Sequence, residues 1–273
     1  MKAAQARILL TGATGGIGRE AAAAFLAAGA RVLLSGRSPQ ALAALRVRLA
    51  RRHALGEDDL SWAAADLRMP QEVEALAEHA AGWRCNVLVH AAGAPAFGAL
   101  DALDAVTLAD VLNTNLLAPM LLTRALLPHL RRQRRAQVLC VGSVLGAIGL
   151  PGYSVYGASK SGLRGFAEAL RRELAGSAVR VQYLGPRSTR TSFNTAQAQA
   201  YAKETGSASD SAASVAAALV QMLASEAPER FLGFPEKLAV RLNGLVPTAL
   251  DGGFRGHGRT LATLASLQER TGP

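Results

Sequence analysis

Short apolar runs recur along the chain, each separated by a small turn from a longer stretch in which apolar residues return every three or four positions. Brief runs rich in Val, Ile and Leu predict buried strands, and the three-to-four spacing predicts helices that bury one face. The strand-like runs are Arg7–Thr11, Arg31–Ser35, Ser61–Ala65, Asn86–Val89, Gln137–Val141 and Val179–Leu184. Helical periodicity covers Gly18–Ala28, Pro39 to about Ala50, Pro70–Ala80, a long stretch from Ala105 to Arg131, and Ser154–Leu174. Gly29 is a good C-cap residue, and Ser38 with Pro39 supplies N-cap and first-turn chemistry. Strands alternating with helices across short turns predict an α/β fold, a doubly wound parallel sheet with helices on both faces.

The pattern loosens towards the C-terminus. Ser188–Asp210 is small, polar and poorly periodic, and reads as a mobile loop; Ser211–Ala224 resumes a helix and Arg230–Phe234 a final short strand. Residues 1–234 therefore read as one domain and 235–273 as a C-terminal appendage. In that appendage Leu238, Leu242, Leu245 and Ala249 recur at helical spacing until Pro247 kinks or ends the helix. Core or oligomer packing is the first reading of the stripe and burial against the Ser188–Asp210 loop, the expected substrate loop, the second. Membrane-surface binding, suggested by Lys237 and Arg241, comes last. Gly252, Gly253, Gly256 and Gly258 predict a flexible tail.

With 273 residues, half of them apolar, the chain is long enough for one well-filled core. No run of eighteen uncharged apolar residues predicts a membrane span, and the apolar run after Met1 is too short for a signal peptide. Cys85 and Cys140 fall in predicted buried strands, which suits reduced thiols and a cytoplasmic location. The formal net charge is +10, but only four of 30 basic residues are lysine, so the excess reads partly as an arginine bias. The densest run, Arg131-Arg132-Gln133-Arg134-Arg135, sits at a predicted helix end, where cations complement the helix dipole. No nucleic-acid motif or stacking platform accompanies the arginines, and no nucleic-acid partner is expected.

Two stretches carry chemistry. Thr11-Gly12-Ala13-Thr14-Gly15-Gly16-Ile17-Gly18 lies between a predicted strand and a predicted helix, the context of a dinucleotide loop. Gly12 permits the tight turn, Gly16 lets backbone approach a pyrophosphate at the helix N-terminus, and Gly18 allows close helix–strand packing. The second stretch places Ser143 at a strand end and Tyr156 and Lys160 four apart on a helix. That spacing puts phenol and ammonium on one face, where the cation would pull the phenol pKa towards neutrality and make Tyr156 usable in proton transfer.

Together these stretches resemble the short-chain dehydrogenase/reductase family over roughly residues 5–234, which implies a Rossmann-type sheet and an NAD(P)-dependent oxidoreductase. By that resemblance Ser143 orients a substrate carbonyl and Tyr156 donates a proton to its oxygen. Lys160 lowers the Tyr156 pKa and binds the nicotinamide ribose. Asn115, in the long helix, matches the family's fourth catalytic residue; it implies a water relay to Lys160, with a structural hydrogen bond as the alternative. The cofactor set is Gly12, Thr14, Gly15, Gly16, Ile17, Gly18, Ser35, Arg37, Asp66, Leu67, Ala92, Gly93, Tyr156, Lys160, Pro186 and Thr191. Strand two ends Ser35-Gly36-Arg37 with no carboxylate, and the guanidinium favours NADP(H) over NAD(H).

The chain also departs from the family pattern. His90-Ala91 stands where the family has two asparagines, and His90 reads as a satisfied histidine at the sheet end. Arg187 replaces a glycine, as either a solvent-facing residue or a cation near the pocket that would favour an anionic or thioester-linked substrate. The expected substrate is a small-molecule carbonyl, a 3-oxoacyl thioester on CoA or acyl-carrier protein or a lipid-like ketone. An alcohol or steroid-type dehydrogenase and a non-catalytic NADP-binding sensor are the rivals. The resemblance further implies a homodimer or homotetramer through the long helix and the Tyr156 helix. No metal ligand set is apparent.

Overall fold

Alternation of apolar side chains along each strand decides the architecture. The computed structural model describes residues 1–53, 55–56 and 58–271. Six strands follow the predicted runs: β1 (Arg7–Leu10), β2 (Arg31–Gly36), β3 (Leu60–Ala64), β4 (Val87–His90), β5 (Ala136–Val141) and β6 (Val179–Gly185). After them come β7 (Ser188–Arg190), β8 (Ser209–Ser211) and β9 (Glu229–Phe231). Seven form one parallel sheet in the order β3-β2-β1-β4-β5-β6-β9, with β7 and β8 paired separately.

The helices are α1 (Gly16–Ala27), α2 (Pro39–His53), α3 (Pro70–Gly82), α4 (Ala105–Leu112), α5 (Ala118–Arg131), α6 (Ser154–Glu173), α7 (Ala196–Glu204) and α8 (Ala212–Ser225). Ile8, Leu10, Val32, Leu34, Val87 and Val89 bury one face against α1, α2 and α8. Leu9, Leu33, Leu88, Val138 and Val181 bury the other against α3, α5 and α6. Burial on both faces explains why the strands read as continuous apolar runs.

α4 and α5 are one helical stretch joined by a π turn over Asn113–Leu117, in which the Ala118 N–H reaches back to the Asn113 carbonyl. By length and composition Ala105–Arg131 could cross a membrane. Its Leu122, Leu126 and Leu130 are instead buried in the sheet's second core.

Three sequence expectations change. Ser188–Asp210 is not a structureless loop: it holds β7, α7 and the start of β8. Thr195 Oγ1 accepts from the Ala198 N–H at 3.2 Å, and the alanine-rich segment behind that cap is a strong helix former with Tyr201 buried on its inner side. The expected flexible tail is helical, with α9 (Glu236–Leu245) followed by a 3₁₀ stretch (Pro247–Phe254) and α10 (Arg255–Thr271). The stripe on α9 is not core: Leu238, Leu242 and Leu245 are exposed, and Val240, with Ala239 beside it, packs inward.

Candidate active site

Loops at the carboxyl ends of β1, β4, β5 and β6 enclose a cleft of about 710 Å³ where the strand order reverses, the usual ligand site of an open parallel sheet. Gly12 takes a left-handed backbone (φ 67°), and a Cβ there would lie 2.6 Å from Ala92 Cα. Thr11 fixes this approach, its hydroxyl accepting from the Ala91 and Ala92 N–H groups at 3.2 and 3.3 Å. No side chain caps α1, so its first N–H groups, with Thr14, Gly15, Gly16, Ile17 and Gly18, face the cleft as an anion cradle. Small residues and free N–H groups at this bend fit a dinucleotide pyrophosphate. A Cβ at Gly16 would overlap the Thr191 side chain, so loop and post-β6 segment close on each other.

At the end of the cleft beside β2 and β3, Arg37, Asp66 and Leu67 line it, joined by Arg68. Arg68 holds Asp66 in a fork (Nη2–Oδ2 2.7 Å, Nε–Oδ1 3.1 Å) and reaches Asp110 at 3.1 Å. Hydrogen bonding from Arg68, opposed by burial, holds the Asp66 carboxyl below its usual range. Ser35 is corrected: its side chain is buried away from the cleft and its hydroxyl has no partner, because strand alternation turns residue 35 inward.

At the centre Ser143, Tyr156 and Lys160 meet. Lys160, almost fully buried, donates to the Val141 carbonyl at 3.1 Å and lies 5.7 Å from the Tyr156 ring centroid. Burial lowers the Lys160 pKa to about 8. It raises that of Tyr156 despite the Ser143 hydroxyl hydrogen-bonded beside it. Burial of the phenol therefore acts against the lowering expected from the neighbouring ammonium and favours the protonated form. Such a phenol can donate a proton to an oxygen that gains charge.

Asn115 is fully buried in the π turn, a feature common at functional sites. Its amide accepts from Ala94 N–H (2.7 Å) and donates to Ala94 O and Ser159 Oγ (both 3.0 Å). Ser159 in turn donates to Tyr156 O at 2.7 Å. The side chain thus ties the Tyr156 helix to the loop after β4, the structural hydrogen bond of the sequence reading, and its Oδ1 and the Lys160 ammonium both lie next to Gly93. His90 is buried and pairs with Thr123 Oγ1 at 2.8 Å, its pKa lowered to about 3 by burial, as its sequence reading expects.

Ala92, Gly93, Pro186 and Thr191 line the cleft as expected. Arg187 lines it too, but is neither solvent-facing nor free. It pairs with Asp210 at 2.7 Å and lies 3.6 Å from Glu236, binding the post-β6 segment to β8 and α9. The far end is apolar and aromatic: Leu145, Ile148 and Leu150 with Phe97, Tyr153, Phe193, Tyr201 and Phe254. Tyr153 meets Phe97 and Tyr201 edge-to-face while those two rings are tilted on each other, and Tyr201 OH lies 3.0 Å from His257 Nδ1 on α10.

Sequence reasoning missed Tyr183 altogether. Its buried hydroxyl accepts from the Ser143 N–H at 3.0 Å and donates to the Ser143 carbonyl at 2.8 Å, clamping both ends of the residue. Cβ atoms at Gly142 or Gly146 would overlap this phenol. The sequence signal was a pair of glycines around Ser143 facing an aromatic residue on the neighbouring strand. Arg68 and the aromatic wall were missed because they converge through tertiary packing.

A short chain dehydrogenase family model matches residues 6–202. The chain is 33% identical to dehydrogenase/reductase SDR family member 7B of Bos taurus over 256 residues, 88% of this chain and 77% of that one. It spans 56 to 62% of the amphibian and rodent forms of that protein. NADP-dependent 3-hydroxy acid dehydrogenase YdfG of Salmonella typhi is 35% identical over 184 residues, 66% of this chain and 71% of that one. Among solved structures, a short chain dehydrogenase from Burkholderia cenocepacia J2315 in complex with NADP superposes with a TM-score of 0.76 at 26% identity, covering 87% of this chain and all of the other. A glycine cradle at the sheet's switch point, with Ser143, Tyr156 and Lys160 beside it, agrees with these likenesses: the chain belongs to the short-chain dehydrogenase family and is an NAD(P)-dependent dehydrogenase/reductase.

Proposed function

We propose that this enzyme uses NADP(H) to reduce a carbonyl to a secondary alcohol, on a lipid-like ketone or a 3-oxoacyl thioester. The observation that carries the reading is the meeting of Ser143, Tyr156 and Lys160 between the glycine loop and an aromatic, apolar pocket. Arg37 and Arg68 at the adenosine end, with no carboxylate after β2, favour a 2′-phosphate. The NADP in the names of the Salmonella relative and the Burkholderia structure supports the same choice.

In this reading the nicotinamide supplies hydride. Ser143 donates a hydrogen bond to the substrate oxygen, and Tyr156, kept protonated by burial, passes its proton to that oxygen. Lys160 supplies positive charge beneath the phenol as it becomes phenolate, and Asn115 holds the Tyr156 helix in register. Gly12, Gly16 and Gly18 shape the pyrophosphate cradle, with Ala92, Gly93, Pro186 and Thr191 walling the nicotinamide end. Because Asp210 and Glu236 answer Arg187, the pocket favours an apolar substrate body over a free anion. A carrier such as CoA or acyl-carrier protein would stay outside, drawn by the +10 charge.

Cys85 and Cys140 are buried free thiols with pKa values raised to about 12 by burial, which suits a reducing, cytoplasmic setting. Exposed Val106, Leu112 and Leu117 on the α4–α5 stretch suit assembly as a homodimer or homotetramer.

The test is NADPH against NADH oxidation with bulky ketones and 3-oxoacyl thioesters, beside Tyr156→Phe. Turnover with NADPH that falls at least a thousandfold in the variant, at unchanged NADPH affinity, supports the reading. Tight NADPH binding without turnover on any carbonyl would favour a sensor instead.

A further inference from the structure

We infer that the outer face of α9 docks on an anionic membrane surface. Phe234, Leu238, Leu242, Leu245 and Val246 are 78, 50, 42, 79 and 50% exposed, a concentration of large apolar side chains within thirteen consecutive residues. Leu238, Leu242 and Leu245 follow an i, i+4, i+7 pattern and so share one side of the helix. The exposed Lys237 and Arg241, four apart, form the adjoining row. The opposite side is already used: Val240 packs on Val144 and Ile148, Asn243 donates to the Ala147 carbonyl at 2.8 Å, and Glu236 turns in to Arg187.

An exposed apolar stripe of this density marks an interaction site, and its charge chooses the occupant. The outward positions 237, 238, 241, 242, 244 and 245 are Lys, Leu, Arg, Leu, Gly and Leu, with no acid among them. Apolar side chains flanked by cations are the pattern of a helix lying in a membrane interface, where anionic headgroups meet the cations. A second copy placed on the same face by a twofold axis would set Lys237 and Arg241 against their own equivalents. The chain's +10 charge adds long-range attraction to an anionic surface. The inner edge of the same helix, through Glu236 and Ala239, lines the substrate end of the cleft. Docking would therefore set the apolar pocket beside the bilayer, the reservoir of lipid-like ketones.

The experiment is co-sedimentation of the full chain with phosphatidylcholine vesicles, with and without 30% phosphatidylglycerol. It is run beside Leu238→Glu/Leu245→Glu and Lys237→Glu/Arg241→Glu, with the mass of each protein measured by sedimentation velocity. Expected is binding to anionic vesicles that weakens at least tenfold in either variant and is lost on neutral vesicles in 0.5 M salt. Each variant should keep the parent's assembly state and its turnover of a water-soluble ketone. Absence of vesicle binding, or equal binding by parent and variants, would overturn the inference. An assembly that dissociates in the leucine variant would overturn it in favour of a second copy. Vesicle binding is read without turnover, so its failure is separate from any failure of the reductase reading.

Discussion

Replacing Tyr183 by Phe isolates the clamp on Ser143. The change removes one oxygen and keeps the ring that packs against Phe231, 5.9 Å between centroids. Two bonds vanish, from the Ser143 N–H at 3.0 Å and to the Ser143 carbonyl at 2.8 Å, in a site closed to water. Leaving a buried peptide N–H unsatisfied costs about 1–3 kcal/mol, so stability to urea should fall by about 2 kcal/mol. Freed at both ends, the Ser143 peptide can shift, and misplacement by about 1 Å of a group that orients the substrate costs up to about a hundredfold. The expected kcat loss is therefore about 10- to 100-fold, with NADPH affinity unchanged because Tyr183 does not line the cleft. The decisive assay is a double-mutant cycle: Ser143→Ala should slow the enzyme, and Tyr183→Phe added to it should slow it little further. If the two losses multiply, or if Tyr183→Phe lowers stability while kcat stays within twofold, Tyr183 is only a core residue and the reasoning fails.

Three further outcomes follow from the site. Arg37→Asp should cut the preference for NADPH over NADH about 10- to 100-fold, the worth of a charged hydrogen bond, as measured by the ratio of kcat/KM values; an unchanged ratio would place the 2′-phosphate elsewhere. The Lys160 pKa is lowered from 10.5 to about 8, so the folded state loses this proton before the unfolded chain does, and the cost of burying the ammonium is relieved as pH rises through that window. Lys160→Met removes the titration, and its stability advantage over the parent should shrink by roughly 1–4 kcal/mol between pH 7 and pH 10 in denaturant titrations; a constant difference would refute the shift. Arg187→Met strips the partner from Asp210 and Glu236 and should loosen α9, raising KM for bulky ketones more than for small ones, in steady-state kinetics across a size series.

Local signals made the sheet, the glycine loop and the Ser143–Tyr156–Lys160 set legible. Parallel strands buried on both faces leave continuous apolar runs, and a nucleotide loop must put glycines at fixed offsets. What escaped was set by packing between distant segments. Ser35 reads as a plausible ligand because it sits two residues from Arg37, yet strand alternation turns it into the core. Asn115 reads as a relay or as a structural hydrogen bond, and register alone does not tell that the π turn delivers its amide to Ala94 and Ser159. The lowered pKa expected of Tyr156 rested on a four-residue spacing that carries no information about desolvation. The α7 segment, alanine-rich and without an apolar stripe, shows no periodicity because one residue, Tyr201, supplies much of its burial.

The Arg187 pairings bear on how this enzyme can diversify. Reactive groups and nucleotide cradle come from residues 12–191, whereas Ala239, Phe254 and His257 of the pocket wall belong to the segment after β9. Among the described residues that segment meets the rest through polar joints that include Leu232 to Gly185, Arg187 to Glu236, Asn243 to Ala147 and His257 to Tyr201, and through apolar contacts of Val240 and Leu261. It contributes pocket wall without contributing Ser143, Tyr156 or Lys160. Grafting the corresponding segment of a relative onto residues 1–231 would exchange substrate range while leaving coenzyme choice and proton transfer untouched, provided a carboxylate is kept where Glu236 now stands.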